Sequence, residues 1–163
     1  MPLVYIALGS NLGDRMGQMR RALKLLQDQG AARLLRASPI YQNRAVGMKE
    51  DAEDFLNAVA EVKTVLQPME LLDACLAVEE QLGRTRSEGG WSPRTIDLDL
   101  LIYEGVRLEE GRLVLPHPRI AERDFVAVPL ADLVPTLKID GLSMGQIVAR
   151  ISKNALTACS ERL

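Results

Sequence analysis

Apolar and polar positions follow two different periods along this chain, and their alternation predicts its elements. Leu3 to Leu8 is a short β-rich run that stops at Gly9-Ser10-Asn11-Leu12-Gly13-Asp14. Met16, Met19, Leu23 and Leu26 then recur at helical spacing, with Asp14 or Asn11 placed to cap the helix and Gly30 to end it. Leu34 to Tyr41 reads as a second strand, Gln42 to Asp54 as a polar, irregular loop able to move, and Phe55 to Val65 as a third strand. Pro68 is a good first helical residue. Leu71, Cys75, Val78 and Leu82 mark the inner face of the second helix, and Gly83 closes it. Arg84 to Thr95 is another long loop, rich in Gly and Arg, and Thr95 to Tyr103 is a fourth strand. Val106 to Leu115 predicts a hairpin or short edge strands. The remainder reads as short helices, notably around Ser143 to Ile151, between Pro-punctuated turns.

The order β-α-β-β-α-β predicts an α+β fold of the ferredoxin-like kind, an antiparallel sheet with helices packed on it. A C-terminal hairpin and short helices complete it. No repeat, low-complexity tract or linker divides the chain, so its 163 residues are expected to form one domain, residues 1–163. Fold alone decides no function. RNA-binding domains share this topology but need aromatics on the sheet, and here aromatics are 4% of residues.

The fourth strand carries the strongest chemical signal. In Trp91-Ser92-Pro93-Arg94-Thr95-Ile96-Asp97-Leu98-Asp99-Leu100, alternation turns Ile96, Leu98, Leu100 and Ile102 to one face and Asp97 and Asp99 to the other. Two carboxylates roughly 7 Å apart along a strand call for a counter-charge, and Mg²⁺ suits their hard oxygens. Alone, the pair is equally well a solvated strand face. Arg94 beside it offers a fixed cation matched to phosphate. Between Arg84 and Arg94, Arg86 adds to the basic character and Glu88 is the only acid. A loop of this kind can close over a polyphosphate and exclude water. Trp91, the only tryptophan, either anchors that loop or stacks on a flat heterocycle.

Other candidates are weaker. His117, the only histidine, stands between Pro116 and Pro118, stiff enough to offer a hydrogen bond to a phosphate. Gly9-Ser10-Asn11 joins a strand to a helix, where an anion can bind. It lacks the ending of a Walker A loop, and a tight capped turn explains it as well. Phe55 and Asn57 share a strand face that could recognise a flat hydrogen-bonding ring, although an ordinary strand explains their spacing better. Glu79 reads by default as a surface salt-bridge partner, and alternatively as a ribose or adenine contact.

Composition narrows the class. Hydrophobic residues make up 47% and charged ones 26%, with a net charge of −2, so there is no global basic field for nucleic acid. No stretch is long enough for a transmembrane helix, and Met1-Pro2-Leu3-Val4-Tyr5 lacks the basic region of a signal peptide. Cys75 and Cys159 stand far apart and point to neither a disulfide framework nor a zinc site. The expectation is a cytoplasmic, monomeric enzyme acting on small molecules, without nucleic acid or membrane as partner.

Taken in order, Ala7-Leu8-Gly9-Ser10-Asn11-Leu12-Gly13, Phe55-Leu56-Asn57-Ala58, Gly83-Arg84-x-Arg86, Trp91-x-Pro93-Arg94-Thr95-Ile96-Asp97-Leu98-Asp99 and Pro116-His117-Pro118-Arg119 resemble the 6-hydroxymethyl-7,8-dihydropterin pyrophosphokinase (HPPK) family over nearly the whole chain. The resemblance implies transfer of a pyrophosphoryl group from ATP to the pterin hydroxymethyl oxygen, releasing AMP, a step of folate biosynthesis. It implies two Mg²⁺ ions on Asp97 and Asp99, with Arg84, Arg86 and Arg94 also in the catalytic apparatus. ATP contacts would come from Glu79, Arg84, Arg86, Trp91, Arg94, Arg112, His117 and Arg123. Pterin contacts would come from Asn43, Val46, Phe55, Asn57, Trp91, Asp97 and Phe125. The chain departs from the family pattern at Asn43-Arg44-Ala45, Leu76, Gly90 and Ser92. Two alternatives fit the carboxylate pair or the fold alone: a two-metal nucleotidyltransferase, and a non-catalytic module that senses a nucleotide or pterin.

Overall fold

The computed structural model describes residues 1–43, 54–83, 95–151 and 156–163. Its centre is a six-stranded antiparallel sheet of β1 (Leu3–Ser10), β2 (Arg33–Ala37), β3 (Tyr41–Asn43), β4 (Phe55–Lys63), β5 (Asp97–Tyr103) and β10 (Thr157–Ala158). The order across the sheet is β10-β3-β4-β1-β5, and β2 pairs with the far half of β4. The expected α+β ferredoxin-like architecture is observed.

Helices α1 (Arg15–Asp28) and α2 (Pro68–Gln81) cover one face. Asp14 caps α1 by accepting from the Gly17 N–H at 3.1 Å, and Gly30 ends it at φ +71°. On α2 the Gln67 N–H donates to Glu70 Oε2 at 2.8 Å ahead of Pro68. Val4, Ile6, Leu8, Leu56, Ala58, Ala60, Leu98 and Leu100 point from the sheet into this layer, against Met19, Leu23, Leu26, Leu71, Cys75 and Val78. Fully burying each such aliphatic chain is worth about 1.5–3 kcal/mol, which makes this layer the main source of stability.

The opposite face carries α3 (Asp124–Leu133) and α4 (Met144–Arg150), packed on Tyr5, Val59 and Leu101. A partly buried network pins α3 there. Tyr5 Oη donates to Glu61 Oε2 at 2.7 Å, and Arg36 grips both Glu61 oxygens at 3.0 and 2.9 Å while donating to the Leu133 carbonyl at 3.0 Å. Burial and the Glu61 carboxylate push the Tyr5 phenol up to about 12. Arg36 holds the Glu61 carboxyl below its usual range, with help from the Tyr5 hydroxyl.

Three local expectations are corrected. The strand expected from Leu34 to Tyr41 is broken into β2 and β3, because Pro39 has no N–H to give a ladder; Asn43 and Gln42, expected in a loop, belong to β3. Helix α3 is one of the short helices expected in the C-terminal part, and it carries Pro129 within it. Ile102 packs on the α3 side rather than with Leu100, because the β1–β5 register jumps from Tyr5↔Ile102 to Ile6↔Leu100, making Leu101 the extra residue of a bulge. The predicted hairpin is present as β6 (Leu108–Glu110) and β7 (Leu113–Leu115), and a smaller one follows as β8 (Lys138–Ile139) and β9 (Leu142–Ser143).

Candidate active site

The α3/α4 layer covers only part of its face. At the other end of the same face the ladder sets Gly9 opposite Asn57 on β4 and opposite Asp97 on β5. Asn43 and Phe55 face each other across β3 and β4, two residues further along β4 on the same face. The Asn57 side-chain amide donates to Asn43 Oδ1. The missing side chain at Gly9 lets these side chains crowd close to its backbone. A Cβ built there would lie 3.2 Å from Asn57 Oδ1 and 3.9 Å from Phe55 Cδ1. A glycine inside a strand signals close approach of another group to the backbone. In sequence, Gly9-Ser10-Asn11 reads only as a turn or an anion junction; the role of Gly9 appears once the ladder sets Asn57 opposite it.

Asp97 and Asp99 are half-buried on the Gly9 side of β5, as their alternation predicts. Asp99 also lines a cavity of about 200 Å³ at the free edge of the sheet, together with Arg112, His117, Leu72, Val114 and Pro118. The β6–β7 hairpin and the Pro116-His117-Pro118 segment fold back to build that cavity, and the His117 N–H donates to the Leu101 carbonyl at 2.7 Å. His117 Nδ1 accepts from the Arg119 N–H at 3.1 Å, which leaves the imidazole proton on Nε2. Burial, then the cations of Arg123 and Arg119, hold the His117 pKa below the ordinary imidazole value; Asp97 pulls it the other way. The ring is therefore a neutral Nε2–H donor near neutral pH.

Arg112 reaches Asp73 on α2 at 3.1 Å, both side chains more than half exposed. Arg123, at the start of α3, lies 5.9 Å above the Phe125 ring, and its charge is felt at His117. The structure thus brings Asp97, Asp99, Arg112, His117, Arg123 and Phe125 toward one end of the sheet, beside the cluster of Gly9, Asn43, Phe55 and Asn57. Glu79 is placed differently. It is 2% exposed, not a surface residue, and its Oε2 accepts the Leu98 N–H at 2.7 Å. Arg84, Arg86, Trp91, Arg94 and Val46 lie outside the described residues.

The donor set at Asp97 and Asp99 fits Mg²⁺. It consists of hard carboxylate oxygens, and among the described residues no three acidic, His or Cys side chains converge on one point. Mg²⁺ takes one or two carboxylates and completes its shell with water and phosphate, whereas a structural zinc or calcium site needs more protein ligands.

An α+β sheet with a carboxylate pair, a neutral imidazole donor and arginines at one end, next to a strand glycine faced by Asn57, has the chemistry of a phosphate-handling enzyme class. The family model described as 7,8-dihydro-6-hydroxymethylpterin-pyrophosphokinase (HPPK) matches residues 5–135. The chain is 43% identical to the 2-amino-4-hydroxy-6-hydroxymethyldihydropteridine pyrophosphokinase of Bacillus subtilis, over 86% of this chain and 83% of that one. It is 41% identical to the enzyme of the same name from Pseudomonas aeruginosa, over 90% of each chain. The crystal structure of Plasmodium falciparum HPPK-DHPS with pteroate superposes with a TM-score of 0.69 at 13% identity, over 91% of this chain and 42% of that one. That likeness speaks for the fold alone, and this chain spans under half of the solved one. The chain belongs to the HPPK family.

Proposed function

We propose that the chain performs the reaction its family is named for: transfer of the terminal pyrophosphoryl group of ATP to 6-hydroxymethyl-7,8-dihydropterin. The observation that carries this reading, beyond family membership, is the ladder row in which Gly9 separates Asn57 from Asp97. A flat ring lying on Gly9, hydrogen-bonded by Asn57 and flanked by Phe55 and Phe125, presents its substituent toward Asp97. The hydroxymethyl oxygen forms the new bond to the β-phosphorus, the bond from that phosphorus to the bridging oxygen of AMP breaks, and the hydroxyl proton is lost beside Asp97. Asp97 and Asp99 would hold Mg²⁺, two ions in this proposal, which when bound neutralises phosphate charge. His117 donates Nε2–H to a phosphate oxygen, and Arg112 and Arg123 add positive charge. Phosphoryl transfer asks mainly for such positioning and charge stabilisation.

On this reading Arg84, Arg86, Arg94 and Trp91 close over ATP, Val46 belongs to the pterin loop, and the enzyme works as a cytoplasmic monomer on small molecules, without nucleic acid. The decisive assay follows nucleotide products. AMP should appear from ATP only when the pterin and Mg²⁺ are both present. ADP or pyrophosphate as product, or ligand binding without turnover by folded protein, would refute the proposal; pyrophosphate would instead fit a nucleotidyltransferase and silent binding a sensor.

A further inference from the structure

We propose that Glu79 is a positioning residue for the metal-binding pair, fixing the strand between Asp97 and Asp99 by accepting the N–H of Leu98. This rests on the reading of Asp97 and Asp99 as metal ligands. Among the described residues, strand β5 lies at the edge of the sheet with β1 as its one partner strand. Edge strands have one ladder in place of two, and their outward N–H groups lack a strand to receive them. Leu98 sits between the two aspartates, and its N–H meets Glu79 Oε2 at 2.7 Å. On the other side of the aspartates' approach, Ser10 Oγ donates to the Thr95 carbonyl at 2.5 Å. The backbone that carries the pair is thus gripped from α2 and from the end of β1.

The choice of residue supports a role beyond packing. Glu79 follows Val78 on the buried side of α2, one turn after Cys75, where an apolar side chain would be the simpler occupant. A carboxylate there is costly to bury unless hydrogen-bonded. It also adds an anion close to the aspartates. Burial, then the charges of Glu79 and Asp99, push the Cys75 thiol up to about 12, so both carboxylates act on the same small region. An added negative charge behind a cation site favours the cation, while the hydrogen bond fixes the spacing of its ligands. Glu79 therefore acts on the metal through β5 and through charge, and not by touching ATP.

The test compares Glu79→Leu, which removes the acceptor, with Glu79→Gln, which keeps an acceptor and drops the charge. Backbone amide exchange at Leu98, without ligands, should be roughly tenfold or more faster in Glu79→Leu and near wild type in Glu79→Gln. Mn²⁺ binding to protein saturated with a non-hydrolysable ATP analogue, read by the resonance of free Mn²⁺, should weaken by roughly tenfold in Glu79→Leu and recover most of that in Glu79→Gln. Affinity for the analogue in the absence of divalent metal should not move. Unchanged Mn²⁺ binding, unchanged exchange at Leu98, or a loss confined to metal-free nucleotide affinity would each overturn the proposal. Asp97→Ala separates the two levels: if it binds Mn²⁺ as wild type does, the metal-site reading itself fails. Should Glu79→Leu not fold, Glu79→Asp withdraws the same acceptor by one methylene, and weaker Mn²⁺ binding supports the proposal while unchanged binding overturns it.

Discussion

Gly9→Ala puts one methyl group on the floor of the proposed pterin slot. The new Cβ would stand 3.2 Å from Asn57 Oδ1 and 3.9 Å from both the Leu56 carbonyl and Phe55 Cδ1. The first contact is tight and asks the Asn57 amide, tied to Asn43, to give by a few tenths of an ångström. Against that, replacing a strand glycine by alanine relieves the unfolded chain of about 0.5–1 kcal/mol of entropy. The two effects nearly offset, so stability should stay within about 1 kcal/mol of wild type and Tm within about 4 °C. Catalysis should not be spared. A ring resting on backbone approaches to about 3.5 Å, and a carbon projecting about 1.5 Å from that floor lifts it by more than about 1 Å. Misplacement on that scale costs on the order of a hundredfold, about 2.7 kcal/mol of barrier. Steady-state kinetics should therefore show kcat/KM for the pterin falling about a hundredfold while KM for ATP holds. A kcat/KM within about threefold of wild type at preserved Tm would place the pterin elsewhere.

Other expectations are simpler to state. Asp97→Ala should lose turnover by about two orders of magnitude or more while circular dichroism and Tm stay near wild type, since the side chain is only half-buried; retained activity would remove Asp97 from the site. Glu61→Gln should cost about 1–3 kcal/mol in urea unfolding by weakening the Tyr5 and Arg36 contacts. Because the Glu61 carboxyl is held below its ordinary value of 4.5, its contribution is complete above that pH and is lost as pH falls through the folded value. The gap between wild type and Glu61→Gln should thus narrow in acid, and a gap that widened would contradict the network. The single imidazole should report Nε2–H in ¹⁵N spectra at pH 7 and titrate below 6.5, because burial and the neighbouring arginines disfavour its cation. Its depressed pKa means the unfolded chain takes up that proton first, so this group adds stability above 6.5 that fades as pH drops. An Nδ1–H signal would break the assignment.

The sequence disclosed what is periodic or local. The Asp97/Asp99 face, the apolar row Ile96, Leu98 and Leu100, the stripes of α1 and α2, and the glycine stops at Gly30 and Gly83 all follow from repeats of two or about four residues. What escaped needs the third dimension. Helix α3 falls among the expected short helices, but its bounds do not follow from the sequence: Pro129 lies within it, and Val126, Ala127, Leu130 and Leu133 are held by the sheet beneath them. Ile102 continues the alternation in sequence and leaves it in space, because nothing in Leu-Leu-Ile announces a bulge. Glu79 reads as exposed because glutamate usually is, and only the neighbouring strand shows why it is not. The meeting of Asp99 with Arg112 and His117 depends on a hairpin folding back along β5, which no local spacing encodes. Gly9 is in sequence a glycine at a strand end, and only the pairing with Asn57 shows what it faces.

The bulge in β5 also explains how a one-sided ladder can hold a carboxylate pair in register. Simple alternation puts Asp97, Asp99 and Leu101 on the α3 side, and would next turn Ile102 down and Tyr103 up. The extra residue at Leu101 keeps Ile102 under α3 and turns Tyr103 into the α1/α2 layer. There the Tyr103 hydroxyl donates to the Leu66 carbonyl, just ahead of α2, at 2.6 Å. The strand is therefore fastened to the α2 side near both ends, by Glu79 at Leu98 and by Tyr103 at Leu66. A slip of one residue would swing both aspartates into an apolar layer and expose Leu98 and Leu100. With β1 alone as partner strand among the described residues, the ladder would resist that slip less than it does in a central strand. The two fastenings supply the missing resistance, and they do so from the helix layer, away from the face that carries Asp97 and Asp99.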